Sequence, residues 1–130
     1  MKKLSETLTE LGIAFGFPIE IKDANGNQTY YENSDGYWHK GEYAAKGNQT
    51  YYEDSDGYWH KCEYDAKGHL TYLESSYGYW RKYEYDAKGR PTYYENSDGY
   101  WCEYEYDAKG NETYFESSEG EKRGTPKSAE

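Results

Sequence analysis

Residues 44–64 read AAKGNQTYYEDSDGYWHKCEY, and residues 86–106 read DAKGRPTYYENSDGYWCEYEY. They are copies of one 21-residue unit, and further copies start at Asp23, Asp65 and Asp107. Four copies are complete, and the fifth decays after Glu119-Gly120. Self-similarity at a fixed period decides the architecture first, because one structural solution must serve every copy. Residues 29–32 (TYYE) and 37–43 (YWHKGEY) suit a pleated surface. Between them lies Asn33-Ser34-Asp35-Gly36, and between copies lies Asp65-Ala66-Lys67-Gly68 or its equivalent. Asn and Asp bond their own backbone, and Gly accepts the positive φ of a type I turn with a G1 bulge. Turns this short join only antiparallel neighbours. The prediction is an all-β fold: an antiparallel β-meander of tandem 21-residue hairpin repeats, with about nine or ten strands.

An odd repeat length constrains the faces. Equivalent positions share a face in every copy only if the two loops differ by an odd number of residues. With three unpaired residues in the Asn33–Gly36 turn and two or four in the other, one face carries Tyr30, Glu32, Trp38, Lys40 and Glu42. The opposite face carries Thr29, Tyr31, Tyr37, His39, Gly41 and Tyr43, and has no carboxylate. There Tyr31 is exchanged for Leu73 or Phe115, and Gly41 for Cys62, Tyr83 or Tyr104. Apolar exchange assigns the core to that second face.

The ends read as caps. Leu4, Leu8 and Leu11 recur at helical spacing and Gly12 follows, so residues 4–11 are expected to form a short amphipathic N-terminal helix. Residues 16–22 resemble a degraded strand, with Pro18 suited to an edge. The expected division is 1–22 for helix and capping strand, 23–120 for five repeats, and 121–130 for a flexible tail. Glu121-Lys122-Arg123 blunts that edge with charge. One sheet of this width cannot bury both faces, so curling, closure or a homodimer is expected.

Composition narrows the function classes. Lys and Arg total 15 against 25 Asp and Glu, a net charge of -10, which disfavours direct contact with nucleic acid or anionic membrane. Leu, Ile, Val and Phe number only 11 of 130, but 19 Tyr and 4 Trp supply an aromatic core in their place. No stretch approaches the ~20 apolar residues of a membrane span, no cleavage site follows the amino terminus, and two Cys make no disulfide framework. The expected location is cytoplasmic.

At Tyr64-Asp65-Ala66-Lys67-Gly68, Tyr85-Asp86-Ala87-Lys88-Gly89 and Tyr106-Asp107-Ala108-Lys109-Gly110, each followed by an aromatic strand and a Ser-x-Gly turn, the unit resembles the YD repeats of the Rhs family. The resemblance spans roughly residues 23–120. It implies long spiralling β-sheets, which in that family form shells around toxin domains or mediate cell-surface contacts. Four and a half repeats are too few for a shell, and Tyr43-Ala44 lacks the Asp.

No catalytic residue, cofactor or metal site is predicted. His39 and His60 occupy the same position in neighbouring copies about 9.6 Å apart, and Cys62 lies two residues from His60 on one strand, whereas zinc wants four ligands at about 2.0–2.3 Å. Cys62 and Cys102 lie two copies apart, about 20 Å, beyond disulfide reach. Asp54-Ser55-Asp56-Gly57 starts like a calcium loop but lacks its terminal Glu. Two ladders remain. An acid ladder runs through Glu32, Glu53, Glu74, Glu95 and Glu116, with a second row at Glu42, Glu63, Glu84 and Glu105. The rows are roughly 13 Å apart on one face, a spacing that could imitate a nucleic-acid backbone, with Lys40, Lys61 and Lys82 between them. An aromatic ladder runs through Trp38, Trp59, Trp80 and Trp101, flanked by Tyr30, Tyr51, Tyr72 and Tyr93. Rigid aromatics beside charges compose protein-binding hot spots. The expected function is a non-enzymatic acidic protein-binding module, in its most concrete form an inhibitor occupying the basic, nucleic-acid-binding surface of a partner protein. A carbohydrate- or wall-binding module and a structural homo-oligomer are the alternatives.

Overall fold

The computed structural model describes residues 2–127. One helix, α1 (Leu4–Glu10), precedes eleven strands in chain order: β1 (Ile19–Lys22), β2 (Gln28–Glu32), β3 (Trp38–Tyr43), β4 (Gln49–Asp54), β5 (Trp59–Tyr64), β6 (Leu70–Ser75), β7 (Trp80–Tyr85), β8 (Pro91–Asn96), β9 (Trp101–Tyr106), β10 (Glu112–Ser117) and β11 (Lys122–Gly124). The strands form an antiparallel meander in sequence order, with β1 and β11 as its edges. The chain divides into two compact units, Met1–Cys62 with Ser75–Tyr77, and Glu63–Glu74 with Gly78–Glu130.

Both kinds of turn are the same turn. Asn33 N–H donates to Tyr37 O at 2.9 Å and Gly36 N–H to Asn33 O at 3.2 Å; Ala44 N–H donates to Asn48 O and Gly47 N–H to Ala44 O, each at 2.8 Å. Gly36 and Gly47 take φ of 90° and 92°, where a Cβ would be strained. The expected difference in loop length is therefore corrected: each turn leaves three residues unpaired. The odd residue sits in a β-bulge instead. Glu42 faces Tyr51 but Tyr43 faces Gln49, and the same slip recurs at Glu84/Tyr85 and between Glu112 and Tyr114, the extra residues being the equivalent Thr50, Thr92 and Thr113. A bulge inserts one residue into one strand of a pair, so it satisfies the same parity. The face assignment holds: Glu32 pairs with Trp38, Tyr30 with Lys40, Lys40 with Glu53 and Glu42 with Tyr51.

Side chains close the turns onto their neighbours. Asp65 Oδ1 accepts the N–H groups of Lys67 and His69 at 3.0 and 2.9 Å, and Asp86 repeats this with Lys88 and Arg90. These bonds hold the Asp carboxyls below their ordinary range. The turn serine ties one hairpin to the next. Trp38 N–H donates to Ser55 Oγ at 3.1 Å while Ser55 N–H donates to Trp38 O at 2.9 Å. Trp59–Ser76, Trp80–Ser97 and Trp101–Ser118 repeat the exchange.

The expected core face does bury residues, but the charged face buries others as well. Within the first unit, Tyr30, Glu32 and Trp38 are buried on the charged face, and Cys62 and Ser75 on the other. Within the second, Tyr114 is buried on the charged face, and Cys102, Phe115 and Ser117 on the other. The reason is the chain's ends. The helix lies on the charged face, although Leu11 of its apolar stripe stays 67% exposed. At the far end, residues 122–124 are not tail but strand β11, paired with β10 through Tyr114–Gly124 and Phe115–Arg123. A Cβ at Gly124 would stand 2.0 Å from Thr113 O, so only glycine lets this strand approach. The last three residues of the expected tail lie outside the described residues.

Candidate functional site

Glu32, Glu53, Glu95 and Glu116 of the first row are each held by the tyrosine two residues before them. Tyr51 Oη donates to Glu53 Oε1 at 2.9 Å, Tyr93 Oη to Glu95 Oε1 at 3.0 Å, and Tyr114 Oη to Glu116 Oε1. Residues i and i+2 of a strand share a face, so a Tyr-x-Glu strand orients its own carboxylate. Burial, then the Glu53 carboxylate, pushes the Tyr51 hydroxyl up, and Tyr93 responds alike beside Glu95. The hydrogen bond from Tyr114, first, holds the Glu116 carboxyl down. Glu74 pairs with Trp80 and Tyr72 with Lys82 in the same register. In the second row Glu42, Glu63 and Glu84 are exposed and Glu105 is half-buried.

The predicted ladders are not equally available. Glu32 is 1% exposed. It accepts the Ser5 N–H at 3.0 Å, the Ser5 hydroxyl and the Tyr30 hydroxyl at 2.9 Å. Burial opposes its charge, but these bonds and nearby Lys3 outweigh burial, so its carboxyl sits below the ordinary range. Tyr30 also accepts Leu4 N–H at 3.0 Å and is pushed up to about 12 by burial and Glu32. Its ring stacks on Trp38, centroids 6.5 Å apart. Tyr30, Glu32 and Trp38 are thus core. The corresponding Tyr51, Glu53 and Trp59 of the same unit remain part exposed, with Lys40 Nζ 3.9 Å from Glu53. Lysines also lie over indole rings, Lys61 at 5.9 Å from Trp59 and Lys82 at 5.4 Å from Trp80. Trp101 lies opposite Glu95 and is half-buried.

The opposite face is a packed aromatic ladder. In the first unit Tyr31, His39, Tyr52 and His60 stack in turn at 5.2, 5.7 and 5.3 Å, and burial lowers the His60 pKa. In the second unit Tyr83 meets Tyr94 at 5.1 Å, Tyr104 meets Phe115 at 5.0 Å, and Arg123 lies 4.3 Å over Phe115. Burial pushes Tyr104 up to about 12. Cys62 and Cys102 are buried free thiols, and no His/Cys/Asp/Glu cluster fit for a metal occurs among the described residues.

Two contributors carry no signal in the repeat. Ser5 meets Glu32 from outside the repeat array, and Lys127 N–H donates to Glu105 Oε1 at 2.9 Å from beyond the last strand. Both donate through the main chain, Ser5 through its hydroxyl as well, and neither lies within the repeat.

No protein-family model and no curated protein matches the sequence. Solved structures do. The chain is similar to the Tc holotoxin pore of Photorhabdus luminescens carrying a mutant TccC3, with TM-score 0.57, 18% identity, and 77% of this chain against 5% of that one. It is similar to the TcdB2-TccC3-Cdc42 structure, with TM-score 0.56, 19% identity, and 86% against 6%. It is similar to TcdB2-TccC3-TEV, with TM-score 0.57, 18% identity, and 91% against 6%. The likeness shows the fold. It agrees with the YD-repeat resemblance at the level of a tandem antiparallel hairpin array. The chain spans about a twentieth of those structures.

Proposed function

We propose that the protein is a non-enzymatic binding module whose acidic aromatic face docks on a basic protein surface. In its most concrete form it is a cytoplasmic inhibitor that occupies a partner's nucleic-acid-binding site. The observation that carries this is the Tyr-x-Glu arrangement. Tyr51 with Glu53 and Tyr93 with Glu95 hold carboxylates in fixed orientation, beside a second, exposed row at Glu42 and Glu84. Pre-oriented charge favours a complementary surface because less ordering is lost on binding. The net charge of -10 adds long-range attraction to a basic partner and repulsion from nucleic acid. A sugar-stacking role finds less support, because Lys61 and Lys82 already cover the indoles of Trp59 and Trp80.

The test is capture followed by competition. Immobilised protein is expected to retain a basic protein from lysate, to release it between low and moderate salt, and to be displaced from it by duplex DNA. Retention that ignores both salt and DNA would contradict the proposal.

A further inference from the structure

The chain's own ends indicate what this face can hold. In the first unit, α1 meets the face through main-chain donors: Leu4 N–H reaches Tyr30 Oη and Ser5 N–H reaches Glu32 Oε1, each at 3.0 Å. In the second unit, Lys127 N–H reaches Glu105 Oε1 at 2.9 Å. The segments differ in sequence and conformation, yet each gives a carboxylate on this face an N–H group, and each carries a lysine at or next to its donors. The first amides of a helix have no acceptor within the helix and form the positive end of its dipole. A carboxylate held in place by a tyrosine satisfies both.

The fourth repeat offers the same Tyr-x-Glu and Trp side chains part exposed, with Lys82 opposite Glu95 where Ile19 lies opposite Glu32. Glu95 pairs with Trp101 as Glu32 pairs with Trp38. Tyr93 bonds Glu95 at 3.0 Å as Tyr30 bonds Glu32 at 2.9 Å. One difference favours a cationic guest: Glu103 faces Tyr93 where Lys40 faces Tyr30. Tyr93, Glu95 and Trp101 are part exposed, where their counterparts are buried. From this internal equivalence we infer that Tyr93, Glu95 and Trp101 form a docking site for the first turn of a lysine-flanked helix on the partner, seated as α1 is on the first repeat. The inference rests on the protein-binding proposal and specifies the recognised chemistry.

The experiment uses the full chain and a designed alanine-rich helical peptide opening Lys-Leu-Ser-Glu, followed by the tryptophan indole resonances at low salt. Saturable movement of the Trp101 resonance is expected, with Trp38 unmoved because its site already carries α1. Glu95→Gln should weaken binding about tenfold or more, since it removes a charged hydrogen-bond acceptor. Glu103→Lys, which copies the residue of the first repeat, should weaken it without disturbing packing. A still Trp101 at millimolar peptide, or binding indifferent to both substitutions, overturns the inference. Polylysine separates the two levels. If it binds while the helical peptide does not, the helix site falls and the acidic-face proposal stands. If neither binds, both fall.

Discussion

Within the first unit, the same three side chains meet two fates. Tyr30, Glu32 and Trp38 are buried beneath α1, whereas Tyr51, Glu53 and Trp59, one repeat on, stay part exposed. The strand register is identical, Glu32 opposite Trp38 and Glu53 opposite Trp59. The covering differs, and so does the neighbouring strand, which sets Ile19 opposite Glu32 and Lys40 opposite Glu53. A strand patterned Tyr-x-Glu can therefore serve as core or as binding surface, and whatever lies on it decides which.

Substitutions across that pair test the contrast. The largest effect is expected from Trp38→Ala, which removes a buried ring and should cost about 3 kcal/mol of stability in denaturant unfolding. Trp59→Ala should cost roughly half as much, because its ring is part exposed. Equal losses would erase the distinction. Next is Glu32→Ala, which strands the Ser5 N–H and should cost about 1–3 kcal/mol. Glu53→Ala, at the part-exposed position, should stay within about 0.5 kcal/mol.

The pH dependence follows the same line. The Glu32 pKa is lowered in the folded chain, so its contribution is present above the unfolded value and is lost as pH falls through the folded one. The Trp38 fluorescence should therefore change on acidification below the ordinary carboxylate range, and Glu32→Gln should abolish that step. Tyr30 works in the opposite sense. Its pKa is raised from 10.0 to about 12, so its contribution is complete below 10 and fades as pH rises through about 12. The turn serine falls between Glu32 and Glu53 in its effect on stability. Ser97→Ala removes one hydrogen bond to Trp80 N–H and should cost about 1 kcal/mol.

The repeat, its two strands, its glycine turns and the partition of side chains between faces are all legible in residues 44–64, because each depends on local chemistry repeated in every copy. The bulge at Gln49-Thr50 is not. A bulge and a longer loop each absorb one residue, and the sequence spacing cannot tell them apart. The burial on the charged face is missed for a different reason. Apolar exchange at Tyr31 and Gly41 correctly marks a packed aromatic ladder, but where α1 lands is fixed by Leu4 and Ser5, outside the repeat. Strand β11 hides because Lys122 and Arg123 look like solvent-facing charge, and pairing through the backbone leaves no mark on side-chain type. The acid ladder is legible as a pattern, while its loss at Glu32 is visible only in three dimensions.

Amide hydrogen exchange at Ser5 probes the central claim most directly, since that N–H lies in the first turn of α1, where Glu32 is its acceptor among the described residues. The prediction is exchange at least about tenfold slower than the unprotected rate, restored to that rate by Glu32→Ala, which removes the acceptor. Free exchange at Ser5 in the unaltered protein, or protection that survives the substitution, would show that the acidic face does not hold polypeptide in this way.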